Sequence, residues 1–386
     1  MSPADSSPTW TAVAVAALDV RGTGLAAIGV EIAVLPRSPG EVVLLTGAGT
    51  DLWRRLVIEG PLLDDHLDAD DVGIVRGMLV RGLASTDADD RARVRTLPVP
   101  TLSSPLHEAV YALVGHVAAG LGIRAVFVKG PALRLQGLRE REHSGDVDVW
   151  CEPGRWDELA DALTVWGWHR EPTPWRGTAA HHTVTLLPDS WGCEIDLHRR
   201  MPGLTLSDAA AFDLVHRDAT PLRFAGVDVL VPSVDTHAVL AAVHAVRPEI
   251  GVAAREGFHP GAAGLLARVP GTVTRSRELG AVPVLRRELA TLVPDADLAD
   301  DDHGVPRDWH WRMASTRARA YWTALRSEPA GTRLALLVRV LWPDDEVALA
   351  SARRAGEETN APRRARRRRL RRAAREWFAA RRRGTA

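Results

Sequence analysis

The sequence predicts an α+β protein, and three observations support this fold class. Segments of strand length cluster within residues 125–231, whereas the chain after about Ser233 shows mostly helical periodicity. A smaller unit of short mixed elements occupies residues 1–100, and a proline-containing stretch at 96–105 separates it from the rest. The chain has 386 residues, 46% of them hydrophobic and 25% charged, so two or three domains with a buried core are expected.

Local patterns predict the elements of the first 100 residues. Short apolar runs bounded by proline and glycine are typical of strands, and apolar residues three or four apart are typical of helices. These patterns predict strands at 24–35, 41–45 and 94–99, and helices at 51–58 and 70–82.

The remaining elements follow from the same patterns. Alternation or a short apolar run predicts strands at 125–129, 146–151, 182–187 and 192–198, the last two forming a hairpin around the Pro188 turn. Helical periodicity predicts helices at 105–120, 132–138, 153–166, 234–246, 282–292, 317–327 and 332–341.

Composition excludes several classes of protein. With only two cysteines, Cys151 and Cys193, the chain is neither a disulfide scaffold nor a cysteine-rich zinc protein, and a reducing, cytoplasmic compartment is expected. No signal peptide and no apolar run long enough to span a membrane are evident. Of 49 basic residues, 48 are arginine and one is Lys129, which suggests that this lysine is kept for its own chemistry.

The neutral net charge hides a strongly basic C-terminal tail. Residues 351–386 contain 14 arginines and three acidic residues, and the first 350 residues carry a net charge of −11. Three interpretations remain open: the tail contacts nucleic-acid phosphates, lies on an acidic membrane surface as an amphipathic helix, or folds against the acidic body.

Two aspartates on one predicted strand indicate a metal site. Residues two apart on a strand point to the same face, so Asp146 and Asp148 project together while Val147 and Val149 point to the other face. Two adjacent carboxylates repel each other unless a cation lies between them or one is protonated. Magnesium, which prefers carboxylate oxygens and often a substrate phosphate, explains such a pair.

A third carboxylate lies on the second arm of the predicted hairpin. Glu194, Asp196 and His198 share one strand face. Asp196 next to the first pair would complete a site for two Mg²⁺ ions, which supports in-line phosphoryl displacement, and would act as ligand and as base for the attacking hydroxyl.

The Lys129–Gly130 pair ends one strand just before a helix. Backbone N–H groups at such a turn attract phosphate, glycine permits close approach, and lysine adds a point charge.

Strand–Lys–Gly–helix, Asp-x-Asp and a later Asp-Leu-His together resemble the DNA polymerase beta superfamily of nucleotidyltransferases over residues 105–250. They resemble in particular the uncharacterised bacterial family that has Lys-Gly where better-known members have Gly-Ser. The resemblance implies a nucleotidyltransferase-type mixed sheet with flanking helices. Its implied site residues are metal ligands Asp146, Asp148 and Asp196, and nucleotide-binding residues Lys129, Gly130 and Arg141 with Arg139 as the alternative.

Residues 24–85 resemble the winged-helix peptide-recognition element of ribosomal-peptide modification systems. The resemblance rests on a strand at 41–45, a helix at 47–56 carrying Trp53 and a helix at 74–83. It implies that the unit binds a leader peptide by strand addition, and a non-binding accessory domain is the alternative.

Four parts are therefore expected: a winged-helix-like unit at 1–100, a catalytic domain at 105–232, a helical domain at 233–350 and the tail at 351–386. The first functional hypothesis is an enzyme that transfers a nucleoside monophosphate from an NTP to a hydroxyl of an unidentified acceptor. The second is a catalytically degenerate protein that acts as a peptide-binding scaffold.

Overall fold

A computed structural model describes residues 8–142, 145–250, 257–293, 298 and 304–383. It has an α+β architecture, as the sequence predicts. The chain divides into two compact units. The first comprises Met1–His169, Thr185–Leu197 and Ala219–Val231, and the second Arg170–Val184, His198–Asp218 and Pro232–Ala386. The four-part domain division stays a prediction. Among the residues described, no helix is both long and apolar enough to cross a membrane.

The strands are short. They are β1 (Thr9–Ala12), β2 (Ala16–Asp19), β3 (Ile32–Leu35), β4 (Val43–Leu45), β5 (Leu62–Leu63), β6 (Ala84–Ser85), β7 (Ala125–Val128), β8 (Asp146–Cys151), β9 (Trp168–Arg170), β10 (Thr183–Pro188), β11 (Glu194–His198), β12 (Thr220–Phe224) and β13 (Val227–Val231).

The helices are α1 (Gly47–Ile58), α2 (Ala69–Val80), α3 (Pro105–Gly120), α4 (Gly130–Leu135), α5 (Trp156–Ala162), α6 (Asp208–Arg217), α7 (Val234–Val246), α8 (Pro260–Arg268), α9 (Thr272–Glu278), α10 (Val282–Leu289), α11 (Arg307–Arg312), α12 (Arg317–Ser327), α13 (Ala330–Leu341), α14 (Asp345–Arg354) and α15 (Pro362–Arg383). The sequence predicts the bounds of α3, α7 and α12 as the structure has them.

Four sheets form from these strands. The strand orders are β2-β3-β4, β5-β1-β6, β7-β8-β11-β10-β9 and β12-β13. The five-stranded sheet contains the predicted strands 125–129 and 146–151 and the predicted hairpin, and it carries the candidate site.

The N-terminal region differs from its prediction in several places. The first part of the predicted strand 24–35 is a short 3-10 helix, Gly24–Ile28, because the Thr23 side chain accepts a hydrogen bond from the Leu25 N–H and starts a turn. The predicted strand 94–99 is absent; the nearby pairing is a single bridge between Val13 and Arg93. Strands β1, β2, β5 and β6 are not predicted from the sequence.

The core of the N-terminal region centres on Trp53 of α1. Its side chain is fully buried, and its indole Nε1–H donates to the carbonyl of Leu83 at 3.0 Å. Helices α1 and α2 and strand β4 lie at the predicted positions. The winged-helix resemblance and leader-peptide binding stay predictions.

Helix α3 is buried along most of its length. The Ser104 side chain caps its first turn by accepting from the His107 N–H. A Cβ atom at Gly115 would lie 2.8 Å from Val229 of β13, so the glycine allows close packing between α3 and β13. The Tyr111 ring stacks on Phe224 with centroids 4.5 Å apart.

The buried carboxylate of Glu108 ties two backbone segments to helix α3. Its Oε2 accepts hydrogen bonds from the N–H groups of Thr101 at 2.7 Å and Leu102 at 2.9 Å, and its Oε1 accepts from Ala225 at 2.7 Å. Burial nevertheless raises the pKa of Glu108, because removal from water costs the charged form more than these bonds recover. Glu108 fixes the segment before α3 and the turn between β12 and β13.

Candidate functional site

Strands β7 and β8 place the two predicted aspartates. The strands are antiparallel, with Val128 opposite Asp148. Alternation along β8 buries Val147 and Val149 and leaves Asp146 partly exposed. Asp148 is only 3% exposed, so its charge needs a compensating cation.

Lys129 supplies such a cation. Its Nζ lies 2.5 Å from Oδ1 of Asp148, and the two side chains are 22% and 4% exposed. Lys129 was expected to bind a nucleotide phosphate, and in this structure its ammonium group contacts the carboxylate. This ammonium group offsets the charge of the buried Asp148 carboxylate, and its charge also acts on Asp146.

The backbone at Lys129 is in an uncommon conformation. Its φ is 60° and its ψ is −149°, a combination favoured by glycine and disfavoured by any residue with a Cβ atom. Gly130 follows with φ 48°, and α4 begins there. Strain of this kind costs about 1–3 kcal/mol and concentrates at functional sites, so the turn supports a role for Lys129 beyond packing.

Asp196 reaches the same region from β11, which neighbours β8 in the sheet. The Thr185 hydroxyl donates to Oδ1 of Asp196 at 2.6 Å and fixes the carboxylate. One ligand atom from each of Asp148, Asp196 and His198, the last residue of β11, lies within 4.8 Å of the others.

This donor set fits a divalent cation. Two carboxylates suit Mg²⁺ or Mn²⁺, and an imidazole favours Mn²⁺ over Mg²⁺. Asp146 is not a member of the three-residue group, so the group alone does not reproduce the predicted set of Asp146, Asp148 and Asp196.

Asp146 is nevertheless coupled to the group through its charge. Burial, followed by the negative charges of Asp148 and Asp196, raises the pKa of Asp146 to about 6, and Lys129 opposes this rise. Asp146 therefore retains its proton up to mildly acidic pH in the absence of a metal ion.

The raised pKa of Asp146 predicts a pH-dependent stability. The folded protein keeps this proton up to about pH 6, whereas the unfolded chain releases it near the ordinary value of 3.8. The contribution of Asp146 to the stability of the metal-free protein is therefore expected to fall as the pH rises from about 4 to about 6. Urea denaturation in EDTA should show that the stability of Asp146→Asn changes less unfavourably over this pH interval than that of the parent, and an identical change in both proteins would contradict the assignment.

The structure distinguishes the two predicted arginines. Arg139 donates from Nε to the carbonyl of Arg141 at 2.6 Å and from Nη2 to the carbonyl of Glu142 at 3.0 Å. Its charge also interacts with that of Asp146, although burial lowers the pKa of Arg139. The side chain of Arg141 is exposed. The arrangement favours Arg139, the alternative, as the arginine next to the carboxylates.

Thr185 and His198 were not among the predicted site residues. His198 shares a strand face with Asp196, which is a signal in the sequence, and its Nδ1 lies 2.8 Å from the Thr183 hydroxyl. Thr185 lies on β10, and nothing in its local sequence indicates a hydrogen bond to Asp196.

Solved structures similar to this chain include several nucleotidyltransferases. The lincosamide antibiotic adenylyltransferase LnuA, bound to lincomycin, is 13% identical and covers 34% of this chain and 81% of its own, with a TM-score of 0.25. An antigenic nucleotidyltransferase-like protein from Paracoccidioides brasiliensis is 14% identical and covers 53% and 94%, with a TM-score of 0.30. A tRNA-processing enzyme in its apo form is 19% identical and covers 64% and 60%, with a TM-score of 0.25.

These TM-scores are too low to support an argument about substrate or mechanism. No curated protein matches the chain. Residues 110–252 match the family model described as an uncharacterised nucleotidyltransferase. This range contains Lys129, all three predicted carboxylates and the β10–β11 strand pair.

Proposed function

We propose that this chain is a metal-dependent nucleotidyltransferase that transfers a nucleoside monophosphate from an NTP to a hydroxyl of an acceptor and releases pyrophosphate. The observation that carries the proposal is the approach of Asp148 and Asp196 to within 4.8 Å, beside Lys129 and inside the matched range. Two strands bring these carboxylates together, although 47 residues separate them in the sequence.

The carboxylates would hold two Mg²⁺ or Mn²⁺ ions through Asp146, Asp148 and Asp196. Bound divalent ions polarise the α-phosphate and stabilise charge on the attacking and leaving oxygens. Asp196, which accepts a hydrogen bond from the Thr185 hydroxyl, would accept the proton of the acceptor hydroxyl.

The basic residues of the site would bind the triphosphate. Lys129 pairs with Asp148, and with a divalent ion held by the carboxylates its ammonium group would be available to bind a phosphate oxygen. Gly130 leaves the backbone of the turn open to a phosphate oxygen, and Arg139 contributes a second positive charge near Asp146.

The proposal is tested by measuring whether nucleotide binding requires a metal ion. Thermal unfolding is followed with non-hydrolysable ATP, CTP, GTP or UTP, each with EDTA, Mg²⁺ or Mn²⁺. At least one NTP is expected to raise the Tm only when a metal ion is present, and a ligand at 100 times its Kd adds about 2.7 kcal/mol of stability. The proposal fails if no nucleotide raises the Tm, or if the rise is the same in EDTA.

A further inference from the structure

A large cavity lies within the second compact unit, and none of its lining residues has been given a catalytic role above. Its volume is about 1360 Å³, and it is lined by the loop around Trp175, the end of α7 and residues of α12, α13, α14 and α15. We call it the arginine cavity because six arginines line it: Arg247, Arg312, Arg317, Arg354, Arg369 and Arg372.

Positive charge dominates the lining of the arginine cavity. Glu249 is its one acidic lining residue among those described. Arg354 pairs with Glu171, and Arg372 pairs with Glu357. The lining itself contains six arginines and one acidic residue, and Asp308 lies close enough to interact with the charge of Arg312. The cavity is therefore complementary to an anion.

Arg312 is the most deeply buried of these arginines, with 5% of its surface exposed. Its Nη2 donates to Nε2 of His182 at 3.3 Å, and burial together with the charge of Arg312 keeps the pKa of His182 well below its ordinary value, so the imidazole is a neutral acceptor. The Nε of Arg312 is buried and has no hydrogen-bond acceptor among the residues described. A buried cationic donor without an acceptor is costly, and a ligand anion would satisfy it.

Aromatic and aliphatic side chains line the rest of the arginine cavity. The rings of Trp175 and Tyr321 lie 5.2 Å apart, measured between centroids. Trp322 is 55% exposed and Leu341 is 50% exposed, although both line the cavity. Large apolar side chains left in contact with water around a concave surface indicate an apolar ligand.

We propose that the arginine cavity binds a small amphiphilic anion, with a carboxylate or phosphate head at Arg312 and an alkyl or aromatic body against Trp175, Tyr321 and Trp322. The aliphatic side chains of α12 and α13 favour such a body over the polar sugar–phosphate chain of a nucleic acid. The lining forms a pocket of about 1360 Å³ that can hold a small molecule, which favours a single molecule over a membrane surface. The proposal does not depend on nucleotidyl transfer.

The test uses decanoate as the probe, at concentrations where it is monomeric. Its binding is measured as the displacement of the fluorescent anion 1-anilinonaphthalene-8-sulfonate from the protein. Decanoate is expected to displace the dye, whereas decyltrimethylammonium, with the same chain and the opposite charge, is not. Arg312→Met should weaken decanoate binding by at least about tenfold, because a charge-assisted hydrogen bond is lost. Arg319→Met removes an exposed charge from α12 outside the cavity and should leave decanoate binding unchanged.

A second variant keeps the proposal testable if Arg312→Met does not fold. Trp322→Ala truncates an exposed side chain and should weaken decanoate several-fold while the Tm stays near that of the parent. Equal displacement by both decyl compounds, or equal decanoate affinity in all variants, would overturn the proposal. So would tighter displacement by a single-stranded oligouridylate or by phosphatidylglycerol vesicles than by decanoate, since the cavity would then serve a nucleic acid or a membrane.

Discussion

Asp148→Asn and Asp196→Asn are each expected to lower nucleotidyl transfer by at least about 10³-fold. Asparagine keeps the shape of each side chain and removes the charge that a divalent ion requires. The transfer of labelled nucleotide from an α-labelled NTP measures the loss, first with water and simple alcohols as acceptors and then with cell extract. The metal-dependent rise in Tm with NTP should disappear in the same variants.

Glu194→Gln is the matched control for these two variants. Glu194 lies two residues before Asp196 on the same strand, is exposed and lies outside the metal-ligand group. The variant removes one carboxylate charge from β11 and should transfer nucleotide as the parent does. Transfer at the parental rate by Asp148→Asn or Asp196→Asn would refute the metal assignment. An equal loss in all three variants would refute it as well, because activity would then depend on the total negative charge of the sheet and not on these two carboxylates.

Lys129→Met has the second large expected effect, and it acts on stability as well as activity. Methionine keeps the Cβ atom and the strained turn, and it removes only the ammonium group. Without it, buried Asp148 has lost its ion-pair partner, so the metal-free protein is expected to lose about 3 kcal/mol of stability. A divalent ion should restore much of this loss, because it supplies the missing positive charge.

Urea denaturation in EDTA and in Mn²⁺ measures both effects, and labelled-nucleotide transfer should fall by at least about 100-fold. Lys129→Arg is the control that keeps the charge, so it should keep most of the metal-free stability. If Lys129→Met unfolds at the parental urea concentration in EDTA, the ion pair contributes nothing and the lysine has another role. Full transfer activity in Lys129→Arg would show that any cation suffices there.

The local pattern of apolar and polar residues is enough to predict the strands that carry the candidate site. Alternation of valine and aspartate determines β8, since a strand places Val147 and Val149 in the core and both aspartates on the other face. The helical repeat of α3 is equally clear. In such segments the spacing of the apolar residues is enough to choose the element, although the fold buries more than one face of β8 and of α3.

Other features depend on contacts that the sequence does not show. An apolar run such as residues 24–28 is compatible with a strand or a turn, and the Thr23 hydrogen bond decides between them. The ion pair between Lys129 and Asp148 depends on the register of β7 against β8. The arginine cavity combines residues from 172 to 373, so no single segment could indicate it.

The hydrogen bonds of Glu108 bear on how fragments of this protein should be made. The segment between the N-terminal strands and α3 contains several prolines, and the Asp19 N–H donates to the carbonyl of Pro98 at 2.9 Å. Thr101 and Leu102 are anchored as well, so the segment is a fixed connection rather than a flexible tether. A truncated version that starts at Pro105 would leave one carboxylate oxygen buried without its two amide donors, and expression trials should therefore begin upstream of residue 96.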